Sequence, residues 1–191
     1  MISQTNFRQT LIDIRTMKTE HLIGTEIVAT EPGRAPLWAF LTATFFGIGT
    51  LGPGPGTWGS AAAVLIWAAI ASALPPAGQS LVLAAMAAIA IAIGIPAATR
   101  VARASGKKDP GFVVIDEVAG QWITLLFAPA TWKTLLAAFI LFRGFDIVKP
   151  LPVRQLERLP EGTGIVIDDV AAGLYGLLVM QLLLHFGLLS R

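Results

Sequence analysis

The sequence predicts an all-α protein: a polytopic membrane helical bundle whose first helix is short or re-entrant. Three observations carry this. Of 191 residues, 54% are hydrophobic, and mean hydropathy is +0.70. Asp, Glu, Lys and Arg make up only 14%, against roughly 25% in an ordinary soluble domain. From Ala35 to Thr99 there is no Asp, Glu, Lys, Arg or His. At about 20 apolar residues per crossing, that stretch holds two to three spans. The apolar residues come in runs rather than in alternation, which argues against an outer-membrane barrel. Such a composition also excludes a soluble enzyme, a nucleic-acid binder and a disordered chain.

The elements follow in order. Residues 1–34 are expected to be a tail or an interfacial helix, with Phe7, Leu11, Ile14 and Leu22 at loosely helical spacing. They lack the uninterrupted apolar core of a signal peptide. Residues 35–191 are expected to form a single membrane-embedded domain. Leu37–Leu51 is apolar but short for a span, hence the short or re-entrant first helix. The Gly-Pro stretch over 52–59 breaks regular structure. Ser60–Leu74 then reads as a helix with Ser60 at its N-cap, stopped by Pro75-Pro76. Ser80–Ala98 reads as a long apolar helix rich in Ala and Ile. After the basic cluster Arg100, Arg103, Lys107 and Lys108, Asp109-Pro110 reads as the N-cap and first position of a helix reaching Phe127. A further helix is expected from about Lys133 to Val148, and a last one from about Gly164 to Leu189. Basic residues crowd the connections 100–109 and 149–162 and nearly avoid 75–79 and 129–133. The bias places the basic side in the cytoplasm. Trp58 and Trp122 read as interfacial anchors.

Against this apolar background the acids stand out. Val113-Val114-Ile115 leads into Asp116-Glu117, and Gly164-Ile165-Val166-Ile167 leads into Asp168-Asp169. Ionised carboxylates within apolar helices are costly and call for partners. Asp109 and Asp146 fall at the same face, where Arg143, Lys149 and Lys108 are the cations in reach. Six carboxylates against three cations leave a negative surplus that a divalent ion would neutralise. The chain has no cysteine, and its two histidines, His21 and His185, are far apart in sequence. Oxygen-only ligands of this kind favour Mg²⁺. Gly120 and Gly173 each lie four residues after an acid, where small side chains let helix backbones approach. Simpler readings also exist: Asp109 as an N-cap, and Asp146 as an i,i+3 partner of Arg143 or Lys149. Phosphate suits the remaining features. Gly54–Ser60 is a Gly-rich turn feeding a helix N-terminus, with Thr57 and Ser60 as hydroxyl donors, and Arg143 and Lys149 supply cationic contacts.

Four stretches together resemble a known family: Gly54-Pro-Gly-Thr-Trp-Gly-Ser60, the segment from Asp109 to Ile123 with Asp116-Glu117, Phe142-Arg-Gly-Phe-Asp-Ile-Val-Lys-Pro-Leu-Pro152, and Gly162-Thr-Gly-Ile-Val-Ile-Asp-Asp-Val-Ala-Ala-Gly173. They look like the motifs of phosphatidylglycerophosphatase A, in order. The resemblance implies a Mg²⁺-dependent, all-helical enzyme of the bacterial inner membrane that removes the terminal phosphate of phosphatidylglycerophosphate. Carried over by position, it marks Asp109, Asp116, Glu117, Asp146, Asp168, Asp169, Arg143 and Lys149. The expected roles are metal ligation by Asp116, Glu117, Asp168 and Asp169, a base at Asp146 or Asp109, and phosphate contacts from Thr57, Ser60, Arg143 and Lys149. The active site is expected on the cytoplasmic side, the partner is the phospholipid itself, and no protein partner is implied. The alternative from another class is a carboxylate-lined divalent-cation transporter or channel.

Overall fold

A computed structural model describes residues 33–189; the expectation for residues 1–34 therefore falls almost wholly outside the described residues, as does His21. Among the described residues there are only helices and connections: α1 (Leu37–Ala43), a 3₁₀ turn (Ile48–Thr50), α2 (Pro55–Ser72), α3 (Pro76–Ser105), α4 (Ile115–Thr124), α5 (Trp132–Val148), α6 (Val153–Leu156) and α7 (Glu161–His185). The all-α expectation holds. So does the short first helix: α1 has seven residues and then reverses through Phe45, Phe46 and Gly47, all at positive φ. Thr44 closes that reversal, its hydroxyl donating to Phe40 O and accepting from Gly47 N.

Several boundaries differ from expectation for local reasons. α2 starts at Pro55 rather than Ser60, because Gly54 takes a left-handed conformation at the N-cap and Pro55 supplies the first helical turn. Ser60 is thus inside the helix and caps nothing; its hydroxyl donates to Gly56 O at 2.9 Å. α3 is longer than its apolar core, running from Pro76 through the internal Pro96 to a left-handed Gly106. Arg103 on its last turn forms a two-pronged pair with Glu161 at 2.7 and 2.8 Å. α5 matches closely, fixed at its start by a reciprocal Thr131/Thr134 capping box.

The largest correction concerns α4. Asp109 caps no helix, and the helix starts only at Ile115. The β-branched run Val113-Val114-Ile115 disfavours helical backbone, and its amides are engaged elsewhere: Val113 N donates to Pro110 O and Val114 N to Ala43 O, each at 2.8 Å. Ten residues rise only about 15 Å, so α4 spans nothing by itself. It lies at the centre, packed by α2, α3, α5 and α7, and nearly every residue in it is buried. Trp122 accordingly is no interfacial anchor; it is buried, with its indole N–H donating to Ala63 O at 3.0 Å. Trp58, by contrast, is half exposed.

Among the described residues two helices, α3 and α7, are long and apolar enough to cross a membrane by length and composition. Leu65, Leu81, Ile89, Ile140 and Leu178 are large and exposed on the outer surface, an arrangement at home in lipid and rare on a soluble protein.

Candidate active site

The N-termini of α2 and α4 and the C-terminus of α5 meet at one end of the bundle, and the site is built there. Asp116 and Glu117 occupy the first turn of α4, where the helix dipole favours negative charge. Asp169 arrives from α7. What brings the two helices together is Gly120 against Gly173: a Cβ on Gly173 would lie 2.5 Å from Gly120 O and 3.0 Å from Gly120 Cα. The small-residue approach expected from the sequence is therefore what the backbones do. Thr124 reinforces it, its hydroxyl donating to both Gly120 O and Gly173 O.

As a result, one carboxylate oxygen from each of Asp116, Glu117 and Asp169 lies within 4.8 Å of the others. Asp116 and Asp169 are buried. Asp116 Oδ1 and Glu117 Oε2 are buried with no hydrogen-bond partner among the described residues. A buried polar atom left unpaired is costly, and three acids this close repel one another. The nearest compensating cation is Arg143, 3.9 Å from Glu117 Oε1 and paired at 2.5 Å with Asp146. An all-oxygen donor set with orphaned buried oxygens is the chemistry that suits a hard divalent cation.

Asp168 plays a different part from its neighbour. Its Oδ2 accepts from Lys149 Nζ at 2.7 Å and its Oδ1 from the amide of Asp169 at 3.0 Å, so its carboxylate is engaged beside the cluster rather than in it. Lys149 ends α5 in a left-handed conformation, with Pro150 barring continuation. Glu157 Oε2 lies 3.7 Å away on its other side. Burial alone would lower the lysine's pKa, but the bond to Asp168 and the charges of Glu157 and Asp169 outweigh it and hold the pKa above the usual value. Asp109 sits exposed at the rim in the loop before α4. Desolvation by the surrounding protein pushes its carboxyl up, Lys149 opposes this, and Glu157 and Asp146 add to it.

The structure thus assembles most of the residues marked in the sequence: Asp116, Glu117 and Asp169 as a cluster, Arg143 with Asp146 beside it, and Lys149 with Asp168 adjoining. Thr57 lies exposed on the first turn of α2. Ser60, fully buried and bonded within its own helix, is turned inward one turn further on. Two contributors were not singled out by sequence reasoning. Gly56 packs so tightly that a Cβ there would strike Glu117 Oε1 and approach Arg143 Nη1 to 2.9 Å; its signal was the Gly-rich turn over Gly54–Ser60, read as a phosphate-binding turn rather than as a close approach to the acids. Glu157, the second partner of Lys149, carried no signal beyond its charge. His185 lies at the other end of α7, seventeen residues or about 25 Å from Asp168.

Comparison with known proteins identifies the family. The family described as phosphatidylglycerophosphatase A matches residues 41–184. A Bacteroides thetaiotaomicron protein provisionally named a phosphatidylinositol-3-phosphatase is 41% identical over 143 residues, covering 73% of this chain and 89% of the relative. Proteins named phosphatidylglycerophosphatase A from Haemophilus influenzae and Escherichia coli are 39% identical over 142 residues and 37% over 155. These cover 73% and 78% of this chain and 85% and 87% of the relatives. No solved structure matches the chain.

Proposed function

Since the chain belongs to the phosphatidylglycerophosphatase A family, we propose that it is a Mg²⁺-dependent lipid phosphate monoesterase converting phosphatidylglycerophosphate to phosphatidylglycerol. The observation that carries this reading is the cluster of Asp116, Glu117 and Asp169, with buried unpartnered oxygens, set beside the cations Arg143 and Lys149. Asp116, Glu117 and Asp169 would hold the ion, with Asp168 oriented by Lys149 at its edge. The chemistry such an ion supplies is neutralisation of phosphoryl charge and acidification of water.

The chain's own groups do the rest. Arg143 and Lys149 bind the phosphate oxygens and stabilise the charge that develops as the ester P–O bond breaks. Asp146 Oδ2, locked to Arg143, fixes the guanidinium fork toward the site. Asp146 or Asp109 takes the proton of the attacking water at a carboxylate oxygen and returns it to the departing glycerol oxygen, so the products are phosphate and the neutral alcohol of the lipid. Thr57 adds a hydroxyl contact at the open end of α2. A cation-transport reading explains the acids but leaves the adjoining Arg143 and Lys149 without a task, and the family match lends it no support.

The direct test is phosphate release from purified protein given phosphatidylglycerophosphate, with Mg²⁺ and with EDTA in excess. Release is expected with the ion and abolished by chelation. A parallel arm with phosphatidylinositol 3-phosphate, the lipid in the Bacteroides relative's name, checks the headgroup. Phosphate from neither lipid overturns the proposal.

We propose further that the site lies at the cytoplasmic face of a bacterial inner membrane. The support is the basic residues of 100–109 and 149–162, at the same end of the bundle as the acids. The native chain has no cysteine, so single cysteines report sidedness cleanly. Ser105→Cys and Arg154→Cys are expected to be shielded from an impermeant thiol reagent in intact cells, and Gly78→Cys to be labelled. The reverse pattern puts the site on the wrong leaflet.

A further inference from the structure

We infer that the groove between α2 and α5 seats one acyl chain of the phospholipid substrate; this deepens the function proposed above and rests on it. The groove has a volume of about 400 Å³ and its lining includes Ala61, Val64 and Ala68 of α2 and Trp132, Leu136 and Phe139 of α5. Its direction comes from helix geometry. At 100° per residue, Thr57, Ala61, Val64 and Ala68 fall on one stripe of α2. Arg143, Phe139, Leu136 and Trp132 fall on one stripe of α5 by the same rule. α2 begins where α5 ends, with Gly56 against Arg143, so the two stripes run side by side away from the site. Each covers twelve residues, eleven steps or about 16 Å of rise, which is half of a ~30 Å hydrocarbon core and so the depth of one leaflet.

The trough is therefore polar at its head and apolar along its length. Arg143 and Thr57 stand at the phosphate end, and no ionisable residue lines the rest. That is the polarity of an amphiphile with its phosphate at the acids and its tail along the helices. The other grooves lack this continuity. The one along Gly144 and Val148 lies on the face of α5 opposite Arg143. The one at Phe45 and Ile89 touches the site helix only through Ile115 and Trp122, and Asp116 and Glu117 project from other faces of that helix. The cavity at Trp67 and Gln79 lies at the far end of α2.

The experiment compares dipalmitoyl with dihexanoyl phosphatidylglycerophosphate in mixed micelles. Ala68→Trp blocks the deep part of the groove, beyond the reach of a six-carbon tail; Leu136→Ala, at an exposed position that the fold tolerates, removes a tail contact instead. Each is expected to raise KM for the dipalmitoyl lipid by about tenfold, the equivalent of losing two methylene contacts, with kcat and the dihexanoyl KM unchanged. A dipalmitoyl analogue carrying a diazirine at the tail end should crosslink to the peptides containing Ala68 and Trp132, with no turnover required. Equal effects on both lipids, or crosslinking confined to other helices, overturns the acyl-chain seat. A wild-type protein that releases phosphate from neither lipid overturns the parent function instead.

Discussion

Asp116→Asn and Asp169→Asn are each expected to lower phosphate release by about 100-fold or more, the scale of losing one ligand or its support at a metal centre. Both side chains are buried within 4.8 Å of each other and of Glu117. An amide keeps the shape but removes the charge and replaces one acceptor oxygen with a donor. The loss should be specific to chemistry. Removing one of three mutually repelling acids relieves strain in the fold, so thermal stability should be unchanged or higher. Calorimetric titration with Mg²⁺ should show weakened binding in both variants. Wild-type rates, or unchanged Mg²⁺ binding, would place the ion elsewhere. Asp168→Asn makes the contrast: its carboxylate is held by Lys149, so a smaller loss is expected, seen mainly in KM.

Gly173→Leu is expected to disrupt the fold and the site together. The obstacle is backbone: even a Cβ meets Gly120 O at 2.5 Å, and a main chain cannot rotate aside as a side chain can. Overpacking alone costs about 1–3 kcal/mol, and here α4 and α7 must also separate, pulling Asp116 from Asp169. Both melting temperature and activity should fall, the activity by more than the loss of folded protein explains. Gly78→Ala is the control, since a Cβ there meets nothing within 4 Å. Equal behaviour of the two variants would show that the close approach does not hold the site together.

How far the sequence revealed this molecule depended on whether a signal was local. The end of α2 followed from the Pro75-Pro76 pair, the extent of α5 to within a residue or two from its apolar run, and the acids from their contrast with an apolar background. The start of α4 was misread because Asp109-Pro110 is a good local helix signal, while the competing factor, Val114 bonding to Ala43, is a contact between residues far apart in sequence. Ser60 was misplaced for the opposite reason: Gly54-Pro55 already satisfied the helix start five residues earlier. The acids of the site were legible as a set, but their division was not. Sequence treats Asp168 and Asp169 as equivalent neighbours, and only the helix face, turning 100° between them, sends one to Lys149 and the other to the cluster.

The shortness and full enclosure of α4 bear on how the protein is made. A ten-residue helix is below the length at which a helix persists alone in water, and too short to be inserted as a span. It becomes stable only when its neighbours surround it, and among them α7, which supplies Asp169, is synthesised last. During translation, Asp116 and Glu117 therefore remain at an unfinished seam for as long as it takes to make the following fifty residues. The enzyme assembles its centre at the final docking event, so an incomplete nascent chain holds no competent phosphatase.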